Sequence, residues 1–176
     1  MSKYYAAAGS SKTPQAVLKL MENVAAFMYE KGFTLRVSES GPADQTFIRS
    51  CKGRFFSFIP HGMIDEGLDN PDAPEYSSSV WGITSDIMPG SGDATFARSL
   101  NPAFLMLSTA EKQWEVVANS LIYGLERVHT ARMLICWSDG TDHVQRYIKV
   151  AEGAGVKVYN LKNPTSRALI EKMLSN

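Results

Sequence analysis

The chain has 176 residues, 44% of them hydrophobic and 20% charged, which bounds it to a single globular domain with one sizeable core. Its 18 basic and 18 acidic side chains cancel, so the basic excess usual for a grip on duplex backbone is missing. No window reaches the apolar length of a membrane span, two cysteines make no disulfide framework, and three scattered histidines show no zinc spacing. Expected from this are a cytoplasmic protein, no cofactor, no metal, no membrane partner, and cysteines that are simply small buried residues.

In chain order, Tyr4 to Ala8 reads as a strand that meets the turn Gly9-Ser10-Ser11-Lys12-Thr13. Pro14 suits the first position of a helix, with Thr13 as its N-cap. Val17, Leu20, Met21, Val24 and Met28 form its apolar stripe, and Gly32 suits its left-handed end. Residues 33 to 38 are a second strand, running into Ser38-Glu39-Ser40-Gly41. Pro42 then opens a short helix with Ala43, Asp44, Phe47 and Ile48, which Gly53 ends. Arg54 to Ile59 is a third strand. Residues 60 to 92 read as a long insertion, rich in proline, glycine and serine. Trp81, Ile83, Ile87 and Met88 would pack part of it down. No Lys or Arg falls between Arg54 and Arg98, whereas Asp65, Glu66, Asp69, Asp72, Glu75, Asp86 and Asp93 do. A solvated acidic loop is the expectation; a partner-binding or nucleic-acid-mimicking surface is the alternative. Helical pattern resumes over Asp93 to Leu100, restarts at Asn101-Pro102, and runs again from Thr109 to Glu126. Arg132 to Trp137 is a near-continuous apolar strand, as a central parallel strand requires. The turn Ser138-Asp139-Gly140-Thr141, a helix ended by Gly155, a strand over 156 to 161 and a helix capped by Asn163-Pro164 complete the chain.

Strands alternating with helices predict an α/β fold: one Rossmann-like, doubly wound, mainly parallel sheet of about five strands with helices on both faces. Ligands in such sheets dock beyond the carboxyl ends of the strands, where strand order reverses. The turns at 9–13, 38–42 and 138–142 all fall at that edge. Gly9, Ser10, Ser11 and Lys12 are candidates to cradle an anion, though plain capping uses the same chemistry. Ser38, Glu39, Ser40 and Asp44 are candidates to meet a sugar or base. Glu39 doubles as a weak candidate for a general base; first-turn acids also simply complement the helix dipole. Asn119, unfavourable in mid-helix, either reaches into the crevice or fixes a loop. Ser138, Asp139, Gly140 and Thr141 would close the far side, or serve only as turn residues. No nucleophile–base pair and no diagnostic pair of acids stands out.

The segment Tyr5-Ala6-Ala7-Ala8-Gly9-Ser10-Ser11-Lys12-Thr13-Pro14 resembles the "YAGIGSRxTP" opening of the SLOG superfamily, which includes the Rossmann domain of DNA-processing protein A and the lonely-guy proteins. Gly32 to Arg36 with Ala43, Asp44 and Phe47 is similar to its "GxxLRSGGADGADxAF". Asn119 with Leu121 and Gly124 resembles "RNxxxxG", Ile135 to Gly140 resembles "vCWTxDG", and Val156 to Leu161 resembles "IPVFNL". The nearest branch resembled is the short, often phage-encoded proteins similar to DNA-processing protein A, which would place the chain in a host cytoplasm. The resemblance implies a nucleotide-binding Rossmann domain and a tendency to form homo-oligomers.

The departures bear on function. The family's Ser-Gly-Gly is Val37-Ser38-Glu39 here, its later Gly-Gly-Thr falls at Asp142-His143-Val144, and the arginine before the helix asparagine is Ala118. The PGGxGTxxE motif of nucleotide-hydrolysing members is missing. Three functions remain in view. One is non-catalytic binding of a nucleotide, nucleotide-derived ligand or nucleic-acid end. A second is an N-glycoside hydrolase using Glu39. The third is a structural or interaction protein with a degenerate pocket.

Overall fold

The structure, a computed structural model, describes residues 3–38, 41–58, 86–87, 91–124 and 127–175. Six parallel strands form one sheet: β1 (Lys3–Gly9), β2 (Phe33–Ser38), β3 (Phe55–Phe58), β4 (Asp86–Ile87), β5 (Met133–Trp137) and β6 (Lys157–Asn160). Their order across the sheet is β4-β3-β2-β1-β5-β6, with every pairing parallel. Five of these strands are the expected ones. The sixth, β4, is a two-residue pairing of Asp86–Ile87 with Ser57 and Phe58 inside the expected insertion. The rest of the 60–90 stretch, including Trp81, lies outside the described residues.

The central strand explains the two-sided architecture. Along β1, Tyr5 and Ala7 enter one core and Ala6 and Ala8 the other. Alternation puts successive side chains on opposite faces, so a strand covered on both faces reads as continuously apolar. Helices α1 (Gln15–Glu30), α2 (Pro42–Ser50) and α6 (Pro164–Leu174) cover the first face through Val17, Met21, Val24, Phe47 and Ile170. Helices α4 (Thr109–Tyr123) and α5 (Val144–Gly153) cover the second through Val117, Leu121, Val144, Tyr147 and Ala151. Helix α3 (Ser91–Leu100) and a 3₁₀ turn (Phe104–Met106) pack outside α4, with Ala97, Phe104 and Val116 as a third, smaller core. Both cysteines are buried, as expected of small core residues.

Several boundaries differ from expectation for local reasons. The N-cap of α1 is Pro14, because the Thr13 hydroxyl turns back to the Ser10 carbonyl instead of capping the helix. The segment expected to start at Asn101-Pro102 is only the three-residue 3₁₀ turn, since Ser108 and Glu111 form a capping box that starts α4 afresh. Gly124 ends α4 with φ +74°. That glycine is obligatory for a second reason: a Cβ there would stand 2.5 Å from the Arg36 guanidinium. Arg36 is buried on β2, lies 4.1 Å over the Tyr4 ring and donates to the Ile122 carbonyl near the end of α4. A cation at that helix end complements the dipole, and burial lowers its pKa to about 10.

Candidate functional site

Strand order reverses between β1 and β5, at the paired ends Gly9 and Trp137, which is the position where parallel α/β sheets generally receive ligands. The turns that follow these strands supply residues 9–13 and 138–142. The turn after β2 stands one strand further away.

In the first turn, most backbone amides already have protein acceptors. The Gly9 N–H donates to Asp44 Oδ1 at 3.2 Å and the Ser10 N–H to the Trp137 carbonyl. The Lys12 N–H donates to Ser10 Oγ and the Thr13 N–H to the Ser10 carbonyl. Ser11 is the residue of the turn whose amide has no acceptor among the described residues, and its side chain is exposed. Gly9 is needed for packing as well: a Cβ there would overlap the Cβ of Ala43 in α2.

Asp44 is 0% exposed. Besides accepting from Gly9 it accepts from Ser38 Oγ at 2.8 Å, and the Tyr147 hydroxyl reaches Ser38 Oγ at 3.5 Å. One carboxylate thereby ties the β1–α1 turn to the end of β2. Ser38 is equally buried, while Glu39 and Ser40 lie outside the described residues.

The exposed chemistry gathers where β1 and β5 meet. Lys12 Nζ, on a side chain 63% exposed, donates to Asp139 Oδ2 and to Thr141 Oγ1, both at 3.2 Å. From the other side, Lys162 Nζ donates to the Asp139 backbone carbonyl at 3.1 Å. Two ammonium groups therefore meet Asp139, Lys12 at its carboxylate and Lys162 at its backbone carbonyl. The Thr141 hydroxyl and N–H, then Lys12, hold the Asp139 carboxyl well below the usual carboxylate range. Gly140 crosses the tip of this turn with φ +98°.

Beneath the tip the turn is anchored. Ser138 is buried; its Oγ donates to Asp142 Oδ1 and accepts from the Gly140 N–H and Gln145 Nε2. The Asn160 side chain, at the end of β6, accepts from the Ser138 N–H and donates to its carbonyl. Trp137 belongs to the core on the α1 side.

Asn119 goes elsewhere. It is 2% exposed, and its Nδ2 donates to the Glu115 carbonyl one turn back in α4. It lines a cleft of about 860 Å³ on the helical face, together with Trp114, Asp142 and His143. The sequence-derived residues thus fall into three sets: an exposed cluster of Ser11, Lys12, Asp139 and Thr141; a buried set of Ser10, Ser38, Asp44 and Ser138; and Asn119 in the helical cleft. Lys162 and Asn160 were missed by sequence reasoning. Their only signal was position, just after the strand that neighbours β5.

Among the described residues no helix is long and apolar enough to cross a membrane, and no group of three or more His, Cys, Asp or Glu side chains could hold a metal. No family model matches the sequence, and no curated protein matches it. Among solved structures, the chain is similar to DNA processing protein A from Helicobacter pylori, described for its single-stranded DNA binding mode. The two are 10% identical with a TM-score of 0.41 over 98% of this chain and 80% of that one. It is also similar to the molybdenum cofactor binding protein from the phototrophic bacterium Rippkaea orientalis, at 9% identity and a TM-score of 0.39 over 100% of this chain and 99% of that one.

Proposed function

We propose that the protein binds a nucleotide, a nucleotide-derived ligand or a nucleic-acid end at the β1–β5 reversal, and holds it without transforming it. The observation that supports this reading is the exposed cluster of Lys12, Lys162, Thr141 and the Ser11 N–H, which has no acceptor among the described residues, at the position where parallel α/β sheets receive ligands. A phosphate there takes over the Lys12 ammonium from Asp139 and accepts from the Ser11 N–H. Because most other amides of the turn are engaged, the grip comes from side chains more than from a backbone cradle. Asp139 disfavours the anion by repulsion and Lys162 offsets it, so affinity is modest and falls with added salt.

Isothermal titration with pyrophosphate and with nucleoside mono- and diphosphates tests the reading. Saturable binding is expected, weakened by about tenfold in Lys12→Ala, the loss typical of one charge-assisted hydrogen bond at an exposed site. Absence of binding across the panel, or Lys12→Ala binding as tightly as the native chain, would overturn it.

A further inference from the structure

The helical cleft around Asn119 has its own chemistry. None of Gly9, Ser10, Ser11, Lys12 or Asp139 lines it. On one side, the Trp114 and His143 rings stack with centroids 4.2 Å apart and planes at 22°. Burial lowers the His143 pKa, so the imidazole is neutral near neutral pH and the pair presents flat, uncharged aromatic surface. Arg146 donates to both Glu111 and Glu115, and Glu115 also accepts from Asn101, so the cleft's strongest cation is already satisfied. Two acceptors on lining residues are not. Asn119 Oδ1 and Asp142 Oδ2 are both buried and have no hydrogen-bond partner among the described residues. Each residue's other polar atom is committed: Asn119 Nδ2 to the Glu115 carbonyl, and Asp142 Oδ1 to the Ser138 hydroxyl and the Val144 N–H. Buried acceptors are paired in nearly all folded proteins, and a pair left open beside aromatic surface lacks donors, not volume.

We propose that this cleft binds the amino-bearing face of a purine base, with the ring against Trp114 and its N–H groups donated to Asn119 Oδ1 and Asp142 Oδ2. A purine matches on three counts. Its planar ring extends an aromatic stack, its exocyclic amine supplies the missing donors, and the cleft is large enough for a nucleoside. Both oxygens are sealed from solvent in the empty cleft, so binding requires the neighbouring side chains to move aside while Asn119 Nδ2 and Asp142 Oδ1 keep their bonds, and the gain is the donor each open oxygen lacks. This site shares no proposed contact with the phosphate cluster, and either can exist without the other.

The test is a fluorescence titration of the full chain with adenosine and guanosine, beside purine riboside, which keeps the ring but has no exocyclic amine. Saturable quenching by the first two is expected, lost in Trp114→Phe, which assigns the signal. Purine riboside should bind at least about tenfold more weakly, because it leaves both buried acceptors unpaired. Asp142→Asn keeps the acceptor facing Ser138 and Val144 but turns the open oxygen into a donor, and should weaken adenosine by a similar factor. No saturable quenching by adenosine or guanosine, equal binding of purine riboside, or unchanged binding by Asp142→Asn would each overturn the proposal. If Asp142→Asn does not fold, the adenosine-to-purine-riboside ratio on the native chain decides. Pyrophosphate has no base and reports on the β1–β5 cluster alone, so failure of one site is distinguished from failure of the other.

Discussion

The Asp44 tie yields the sharpest stability prediction. Replacing Asp44 with alanine removes the acceptor for the Gly9 N–H at 3.2 Å and for the Ser38 hydroxyl at 2.8 Å, both in the interior. Each buried donor left without a partner costs about 1–3 kcal/mol, so taking the lower half of that range for both, Asp44→Ala should lose about 3 kcal/mol. For a chain of this size that corresponds to a fall of about 6–12 °C in Tm. Asp44→Asn should lose only about 1 kcal/mol. Its carbonyl keeps the Gly9 bond, and the Ser38 hydroxyl can rotate to accept from the new NH₂. Urea unfolding followed by far-UV circular dichroism measures both. An alanine variant within about 1 kcal/mol of the native chain, or an asparagine variant as damaged as alanine, would refute the idea that this carboxylate is chiefly a hydrogen-bond bridge.

Three further outcomes follow from the geometry. Gly124→Ala should cost about 2–3 kcal/mol, since it combines φ +74° with a Cβ driven into Arg36, whereas Gly155→Ala, at φ +68° with open space around it, should cost only about 1 kcal/mol; thermal unfolding of the two compares them directly. The Asp139 carboxyl, held down mainly by Thr141, should titrate well below ordinary aspartates in a carbon NMR experiment, and Thr141→Val should move it back up. Because its folded pKa is lowered, its contribution to stability is present above the ordinary carboxylate pKa and is lost as pH falls through the lowered one, so Thr141→Val should flatten the acid limb of the stability curve. Burial raises the pKa of both the Cys51 and Cys136 thiols, so neither should react with a thiol reagent at neutral pH until the chain unfolds, when both do; a native chain that reacts quickly contradicts the buried placement.

The fold was largely legible because its signals are local. The α1 stripe from Val17 to Met28 repeats at helical spacing, Gly32 and Gly53 take the positive φ expected where helices end, and the apolar run Met133–Trp137 is buried on both faces. The site was less legible because its partners are remote. Nothing in the first turn announces that Gly9 donates to a carboxylate 35 residues on, or that Lys12 pairs with Asp139 127 residues away. Small polar residues at a strand end look alike whether they meet a ligand or each other. Asn119 stands out in the sequence as unusual within a helix. Its surroundings, however, depend on how α4 and α5 lie together, and no spacing along the chain records that. Arg36 and Gly124 show the same limit: each stands in a motif recognised separately, and only the three-dimensional structure reveals that they touch.

The Asn160 side chain imitates a peptide unit, offering one acceptor and one donor to Ser138 where β6 itself has stopped. The β5–β6 ladder therefore gains an extra rung made of side chain, and the clamp falls one residue before the exposed tip. Asp139, Gly140 and Thr141 thus form an interchangeable cassette carried on a stiff mount. On the proposed reading, substitutions there would retune which anion is welcomed while the load-carrying sheet below registers little change, a division that would let recognition drift faster than architecture.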